Sequence, residues 1–113
     1  MKFLLLHYVD ETTEMSAGES REDQALLTAW LDDTIARGVN LQGNYLQPSR
    51  NAATVRARDG ELLVADGPFA ETKEQIAGFD IIECADLEEA IEVAGKHPVA
   101  RFGVIEVRPF WPF

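Results

Sequence analysis

Three residues of this 113-residue sequence have the chemistry of a proton-transfer site. His7 lies within an apolar run, Asp80 interrupts a second apolar run, and Asp66 opens a turn between the two. Because the imidazole pKa lies close to neutrality, a histidine that is oriented by a carboxylate is a candidate general base. We therefore take His7, Asp66 and Asp80 as the candidate catalytic residues.

Each of these residues also has a purely structural interpretation. His7 is either a core histidine with one hydrogen bond or a base that faces a cavity. Asp80 either pairs with another side chain, because burying a lone carboxylate is costly, or faces solvent. Asp66 either forms an Asx turn or takes part in catalysis. The catalytic interpretation requires His7 and Asp80 to share one face of a sheet.

A substrate would need further contacts, and four side chains are candidates: Phe69, Lys73, His97 and Arg108. The two cations would anchor an anionic substrate, although cations in an acidic protein often pair locally. His97 can equally be the polar end of a helix. The sequence contains no spacing typical of metal ligands, phosphate loops or dinucleotide sites, so we expect neither metal nor cofactor.

The composition excludes several classes of partner. The 20 acidic and 10 basic residues give a net charge of −10, which argues against nucleic acid and against anionic membrane surfaces. No apolar run is long enough to span a bilayer and none resembles a signal peptide, so we expect a cytoplasmic protein. The single Cys84 excludes an internal disulfide. The length predicts one domain over residues 1–113.

The hydrophobic pattern predicts two helices, four core strands and one hairpin. The first strand is apolar on both faces, with Phe3, Leu5 and His7 on one side. A helix begins at Ser16 or Ser20, because both are capping-box-like, and ends at Gly38. The other predicted elements are strand 39–46, the hairpin 53–65, strand 76–84, a helix from 86 to 95, and strand 102–108.

This order favours a ferredoxin-like βαββαβ sheet of the α+β class with an added β-hairpin. Both helices then cover one face of the sheet and leave the other face apolar and bare, which marks an interface. We therefore expect a homodimer. The same topology predicts that His7, Asp66, Lys73, Asp80 and His97 lie at or near one rim of the sheet.

The loop Asp66-Gly67-Pro68-Phe69, followed by Glu71, Lys73, Glu74 and Gly78, resembles the signature of DGPF-type proteins in the YCII-related family. Both ends of the chain are similar to that family as well. The resemblance implies a dimeric α+β barrel and a histidine–aspartate pair. Small relatives place the histidine in the first helix, where this chain has none. Asp66 is the best match for the aspartate.

Two functions follow from the residues and the resemblance. The first is an enzyme that acts on a small organic molecule, with acid–base chemistry in a pocket at the rim of the dimeric barrel. The second is a non-catalytic ligand-binding or regulatory module, because DGPF-type proteins resemble accessory partners of alternative sigma-factor systems. Neither the residues nor the resemblance identifies the ligand.

Overall fold

The computed structural model describes residues 1–112, so Phe113, the last residue of the aromatic run Phe110-Trp111-Pro112-Phe113, lies outside it. No helix in this range is long and apolar enough to cross a membrane. Two short 3-10 turns lie at Ser49–Asn51 and Pro98–Arg101. The strands and helices are β1 (Lys2–Asp10), α1 (Ala17–Ala36), β2 (Asn40–Tyr45), β3 (Ala53–Arg58), β4 (Glu61–Asp66), β5 (Glu74–Glu83), α2 (Leu87–Gly95) and β6 (Val104–Pro109).

Four strands form one antiparallel sheet in the order β2-β5-β1-β6. This is the predicted ferredoxin-like α+β arrangement, in which the first strand is central. Both helices pack on the face that carries Phe3, Leu5 and Ile82, all three completely buried. The Trp30 indole of α1 donates a hydrogen bond to the Val93 carbonyl of α2 at 2.9 Å. The core therefore lies between the sheet and its two helices.

The helix ends follow from local chemistry. Of the two predicted starts of α1, the structure uses Ser16, whose hydroxyl accepts from the Glu19 N–H while the Glu19 carboxylate accepts from the Ser16 N–H. Asp86 caps α2 through a hydrogen bond from the N–H of Glu89. Gly38 follows α1 with φ +70°, a conformation that glycine adopts without a steric penalty.

The predicted hairpin forms a separate two-stranded sheet from β3 and β4. Its turn consists of Asp59 (φ 52°) and Gly60 (φ +79°), as a primed two-residue turn requires. The hairpin ends at Gly67, whose N–H donates to the Ala52 carbonyl at 2.7 Å. The segment that carries Asp66 is thus fixed to the hairpin instead of to the main sheet.

The molecule is flat, with principal extents of 47 × 43 × 18 Å. Its radius of gyration is 16.2 Å, whereas about 13 Å is usual for a compact chain of this length. The face of the sheet opposite the helices carries apolar side chains that are only half-buried: Leu4, Leu6, Phe79 and Ile81. Within residues 1–112, neither helix covers this face of the sheet.

Candidate functional site

Three titratable residues meet beneath the helices. His7, Asp80 and His97 expose 4%, 4% and 2% of their surface, and their nearest ligand-type atoms all lie within 4.8 Å of one another. They come from β1, from β5 and from the residue before the 98–101 turn. Burial of three such groups together is costly unless they satisfy one another.

Strand parity brings His7 and Asp80 together. His7 pairs with Gly78 across the β1–β5 ladder, and Asp80 pairs with Leu5, so both side chains lie on the helix-covered face. The catalytic interpretation required His7 and Asp80 to share one face of the sheet, and they do. The Nε2 atom of His7 lies 2.9 Å from Oδ2 of Asp80.

Both oxygens of the Asp80 carboxylate face donors. The Asn40 amide donates to Oδ1 at 3.0 Å, and the Nε2 atoms of His7 and His97 lie 2.9 Å and 3.9 Å from Oδ2. Gly43, on the adjacent edge strand, makes room for the carboxylate. A Cβ there would overlap Asp80 Oδ1 and would lie 2.9 Å from the Phe79 carbonyl oxygen.

The second imidazole is held in one tautomer. Nδ1 of His97 accepts a hydrogen bond from the Val99 N–H at 3.0 Å, so in the neutral ring the proton sits on Nε2, which faces Asp80. Burial and the neighbouring His7 lower the pKa of His97 to about 4, although Asp80 acts in the opposite direction. The ring also packs edge-on against Trp30 at 4.7 Å. His97 is therefore a neutral N–H donor at physiological pH.

These contacts leave His7 Nδ1 as the one imidazole nitrogen of the cluster, within residues 1–112, that no neighbouring donor or carboxylate occupies. Nδ1 lies beside Gly78, where an added Cβ would come within 3.3 Å of it. On the other side of the ring, the Asp80 oxygen lies off the axis of the Nε2–H bond, so the pair is close but poorly aligned. Such pairs often tighten only when substrate binds.

The same three residues offer one ligand atom each to a metal ion. Coordination through Nε2 of His97 would require its proton to move to Nδ1, and Nδ1 already accepts from the Val99 N–H. The donor set therefore fits proton transfer better than metal binding.

A cleft of about 470 Å³ reaches the cluster from the surface. It runs between α1 and the edge strand β2, and this volume is within the usual range for small-molecule sites. The α1 side is apolar, and the β2 side is the whole strand from Asn40 to Tyr45. His7, Asp80 and His97 form the polar end of the cleft.

Unfolding experiments can test the burial of His97. The pKa of its imidazole is about 4 in the folded protein, against an ordinary value of 6.5, so the unfolded chain binds more protons between these two values. The stability contributed by the neutral ring is complete above pH 6.5 and falls as the pH is lowered towards 4. We expect a loss of about 2 kcal/mol between pH 7 and pH 5, measured by urea unfolding.

The variant His97→Asn provides the control, because an asparagine oxygen can still accept from the Val99 N–H but does not titrate. Its stability should change much less over this interval. If both proteins lose the same free energy of unfolding between pH 7 and pH 5, His97 does not have the lowered pKa. The Asp10 and Glu11 carboxyls also have lowered pKa values, but the wild type and His97→Asn share them, so they do not affect the comparison.

The other predicted site residues lie away from this cluster. Asp66 and Lys73 line a separate surface depression together with Asp10, because the hairpin carries their segment off the main sheet. Phe69 is 80% exposed in the same loop. Arg108 lies on the opposite face of the sheet, 3.6 Å from Glu106, because it pairs with Leu4 and not with a helix-side residue. The predicted residues therefore do not form one site, and His97 alone of the substrate-binding candidates adjoins His7 and Asp80.

Two residues that contact Asp80, Asn40 and Gly43, are not among the candidates from the sequence. Asn40, which fixes Asp80, follows a helix and has no sequence signal beyond a polar residue at the start of a strand. Gly43 carried a signal, because a glycine inside a strand often marks a close approach of another group. Nothing in the sequence indicates that apolar side chains of α1 face a cleft.

The fold agrees with that of a solved enzyme. The chain is similar to 5-chloro-2-hydroxyhydroquinone dehydrochlorinase (TftG) from Burkholderia phenoliruptrix AC1100, solved in complex with 2,5-dihydroxybenzoquinone. The TM-score is 0.55 with 17% sequence identity, covering 98% of this chain and 94% of that one. At this identity the likeness concerns the fold alone.

Sequence comparison adds a relative and a family. An uncharacterised protein of Rhizobium meliloti (strain 1021) is 40% identical over 114 residues, which cover 96% of this chain and 91% of that protein. The family model of the YCII-related domain matches residues 1–113, as the loop that begins at Asp66 had suggested. The chain therefore belongs to the YCII-related domain family.

Proposed function

We propose that this protein is a cytoplasmic enzyme that removes a proton from a small organic molecule bound in the cleft, with His7 as the general base. The proposal rests on the contacts of the four imidazole nitrogens of His7 and His97. Two of its imidazole nitrogens face Asp80 and a third accepts from Val99, which leaves His7 Nδ1 as the base.

Asp80 and Asn40 are positioning residues in this mechanism. The carboxylate holds the Nε2–H tautomer of His7, so that the lone pair is on Nδ1, and it stabilises the imidazolium that forms when Nδ1 takes a proton. Asn40 holds the carboxylate through its other oxygen. The structural neighbour's name supports an enzymatic role, since removal of hydrogen chloride also requires a proton acceptor.

A probe that needs only a base in an apolar cleft can test this function. 5-Nitrobenzisoxazole is flat and uncharged. When a base takes its C3 proton, the C–H electrons form a nitrile, the N–O bond breaks, and the absorbing 2-cyano-4-nitrophenolate leaves. We expect the protein to accelerate this reaction about a hundredfold or more relative to an equal concentration of imidazole.

The matched control is Asp66→Asn, which removes a carboxylate from the separate depression and should leave the rate unchanged. Absence of acceleration by the wild-type protein would contradict an accessible base. If the probe binds in the cleft without ring opening, the ligand-binding or regulatory module is the better explanation. A large loss of rate in Asp66→Asn would restore the role predicted for Asp66.

We also propose that the functional molecule is a homodimer, in which a second copy covers the open face of the sheet. The flat shape and the half-buried Leu4 and Leu6 support this arrangement. The hairpin supports it too: Val55, Leu62 and Val64 are each at least 60% exposed, and an isolated hairpin is marginally stable in water. Two sheets packed face to face would form a dimeric α+β barrel.

Light scattering after gel filtration measures this assembly directly. At tens of micromolar we expect twice the chain mass of 12.6 kDa. Leu6→Glu places a charge on the open face and should give a monomer, whereas Ile91→Glu, on the exposed side of α2, should remain dimeric. A monomeric wild-type protein at this concentration would contradict the proposal.

A further inference from the structure

The cleft beside His7 is lined mainly by uncharged side chains. Among the described residues that line it there is neither lysine nor arginine, and its one carboxylate is that of Asp80. Lys73 and Arg108, the anchors expected for an anionic substrate, lie in the separate depression and on the opposite sheet face. An anion in this cleft would lose its hydration without gaining a partner.

Two carboxylates disfavour a further negative charge near Tyr45, which lines the cleft. The pKa of Tyr45 is raised, first by burial and then by the negative charges of Asp23 and Asp80. A field that opposes ionisation of a tyrosine also opposes the approach of a carboxylate or phosphate. The Tyr45 hydroxyl stays protonated and can donate a hydrogen bond to a neutral acceptor.

The wall opposite β2 is aliphatic. Leu27, Leu31 and Ile35 recur every four residues of α1 and line the same side of the cleft. Leu27 and Leu31 are half-buried and Ile35 is 59% exposed, so this stripe continues to the surface. An apolar ring or chain that binds here would shield these three side chains from water, which favours its binding.

A cationic ligand would also find no direct partner in the cleft. The Asp80 side chain is 6% exposed, and donors from Asn40 and His7 already face its two oxygens. An ammonium group in the cleft would therefore lie beside aliphatic side chains without direct contact to a carboxylate. The Asp80 carboxylate already interacts with Asn40 and His7 inside the protein.

We propose that the cleft selects an uncharged small molecule whose apolar side packs on Leu27, Leu31 and Ile35, and whose weakly acidic O–H or C–H group meets His7 Nδ1. This substrate class rests on the proposed function, because the acidic group is the proton donor to the base. Carboxylates, phosphates and ammonium compounds are excluded as ligands of this cleft.

Three probes of nearly equal size test the charge selection: benzyl alcohol, benzoate and benzylammonium. Each is titrated into ¹⁵N-labelled protein, and binding is followed through the amide signals of Gly43 and Gly78, which flank Asp80 and His7. We expect benzyl alcohol to bind at least tenfold more tightly than either charged probe. Tighter binding of benzoate or of benzylammonium would overturn the proposal, as would the failure of all three to shift these signals.

A variant tests the reason for the selection. Ile35→Arg adds a cation to the cleft at a largely exposed position and should raise benzoate affinity about tenfold, while Ile91→Arg on α2 should leave it unchanged. Equal effects of the two variants would mean that net charge, and not the cleft, sets the preference.

The binding and rate results separate the two proposals. A preference for a charged probe together with His7-dependent ring opening would overturn the substrate class alone. A preference for benzyl alcohol without ring opening would overturn the proposed function alone.

Discussion

Replacing His7 with asparagine is expected to lower the rate of 5-nitrobenzisoxazole ring opening by at least about a hundredfold, to near the rate without protein. Asparagine is similar in size to the first part of the imidazole and is polar, but it has no basic nitrogen. The loss should therefore appear in the rate constant for ring opening much more than in binding of the probe. Stopped-flow absorbance of the product phenolate measures it.

The fold of the His7→Asn variant must be shown to be intact, because His7 is 4% exposed. Near-ultraviolet circular dichroism and the melting temperature provide this control, and Asp80→Asn provides an intermediate case. We expect Asp80→Asn to reduce the rate by about tenfold or more, since it removes the charge that stabilises the imidazolium but keeps the base. A folded His7→Asn variant with the wild-type rate would contradict the assignment of His7 as the base.

Replacing Gly43 with alanine is expected to disrupt the same site by displacing the Asp80 carboxylate. The new methyl group would overlap Asp80 Oδ1 and crowd the Phe79 carbonyl, so the carboxylate must leave its contacts with His7 and Asn40. Overpacking of this kind typically costs about 1–3 kcal/mol. Urea unfolding should show this loss, and ring opening should slow by about tenfold or more.

Two further variants show whether the loss arises at Asp80. Gly95→Ala adds a methyl group where nothing lies within 4 Å, so it should leave the rate nearly unchanged and should not lower the stability, because alanine is the better helix former. In an Asp80→Ala background the overlap with Oδ1 is gone, so Gly43→Ala should cost clearly less than in the wild type. Equal costs in the two backgrounds would place the strain at the Phe79 backbone instead of at the carboxylate.

Most of the fold was predictable because its signals are local. The alternation of residues 3–9, the Asp59-Gly60 turn and the caps at Ser16 and Asp86 each fix an element through its own neighbours. The handedness and shortness of the connections then leave few topologies, and the ferredoxin-like sheet is confirmed. The choice between Ser16 and Ser20 was not predictable, because both have an acidic residue three positions later.

The candidate site was predictable only in part, because it depends on register and on packing. The pattern singled out His7 and Asp80 as polar residues in apolar strands, but their shared face follows from the β1–β5 register, which the sequence did not provide. The tautomer of His97 depends on one backbone N–H at Val99, which no side-chain pattern reveals. Asp66 was grouped with them because its loop leads into β5 at the end of the sheet where β1 ends, but its side chain lines a separate depression.

The measurement that tests the role of His7 most directly is a long-range ¹H–¹⁵N NMR spectrum of the two histidine rings, which needs no substrate. We predict that neutral His7 carries its proton on Nε2 and has an unprotonated Nδ1, and that Asp80→Asn weakens this preference. We also predict that His97 stays in the Nε2–H form down to about pH 4, close to the pKa of its imidazole. A neutral His7 protonated on Nδ1, with its lone pair directed at Asp80, would contradict the proposed mechanism, because no base would then face the bound molecule.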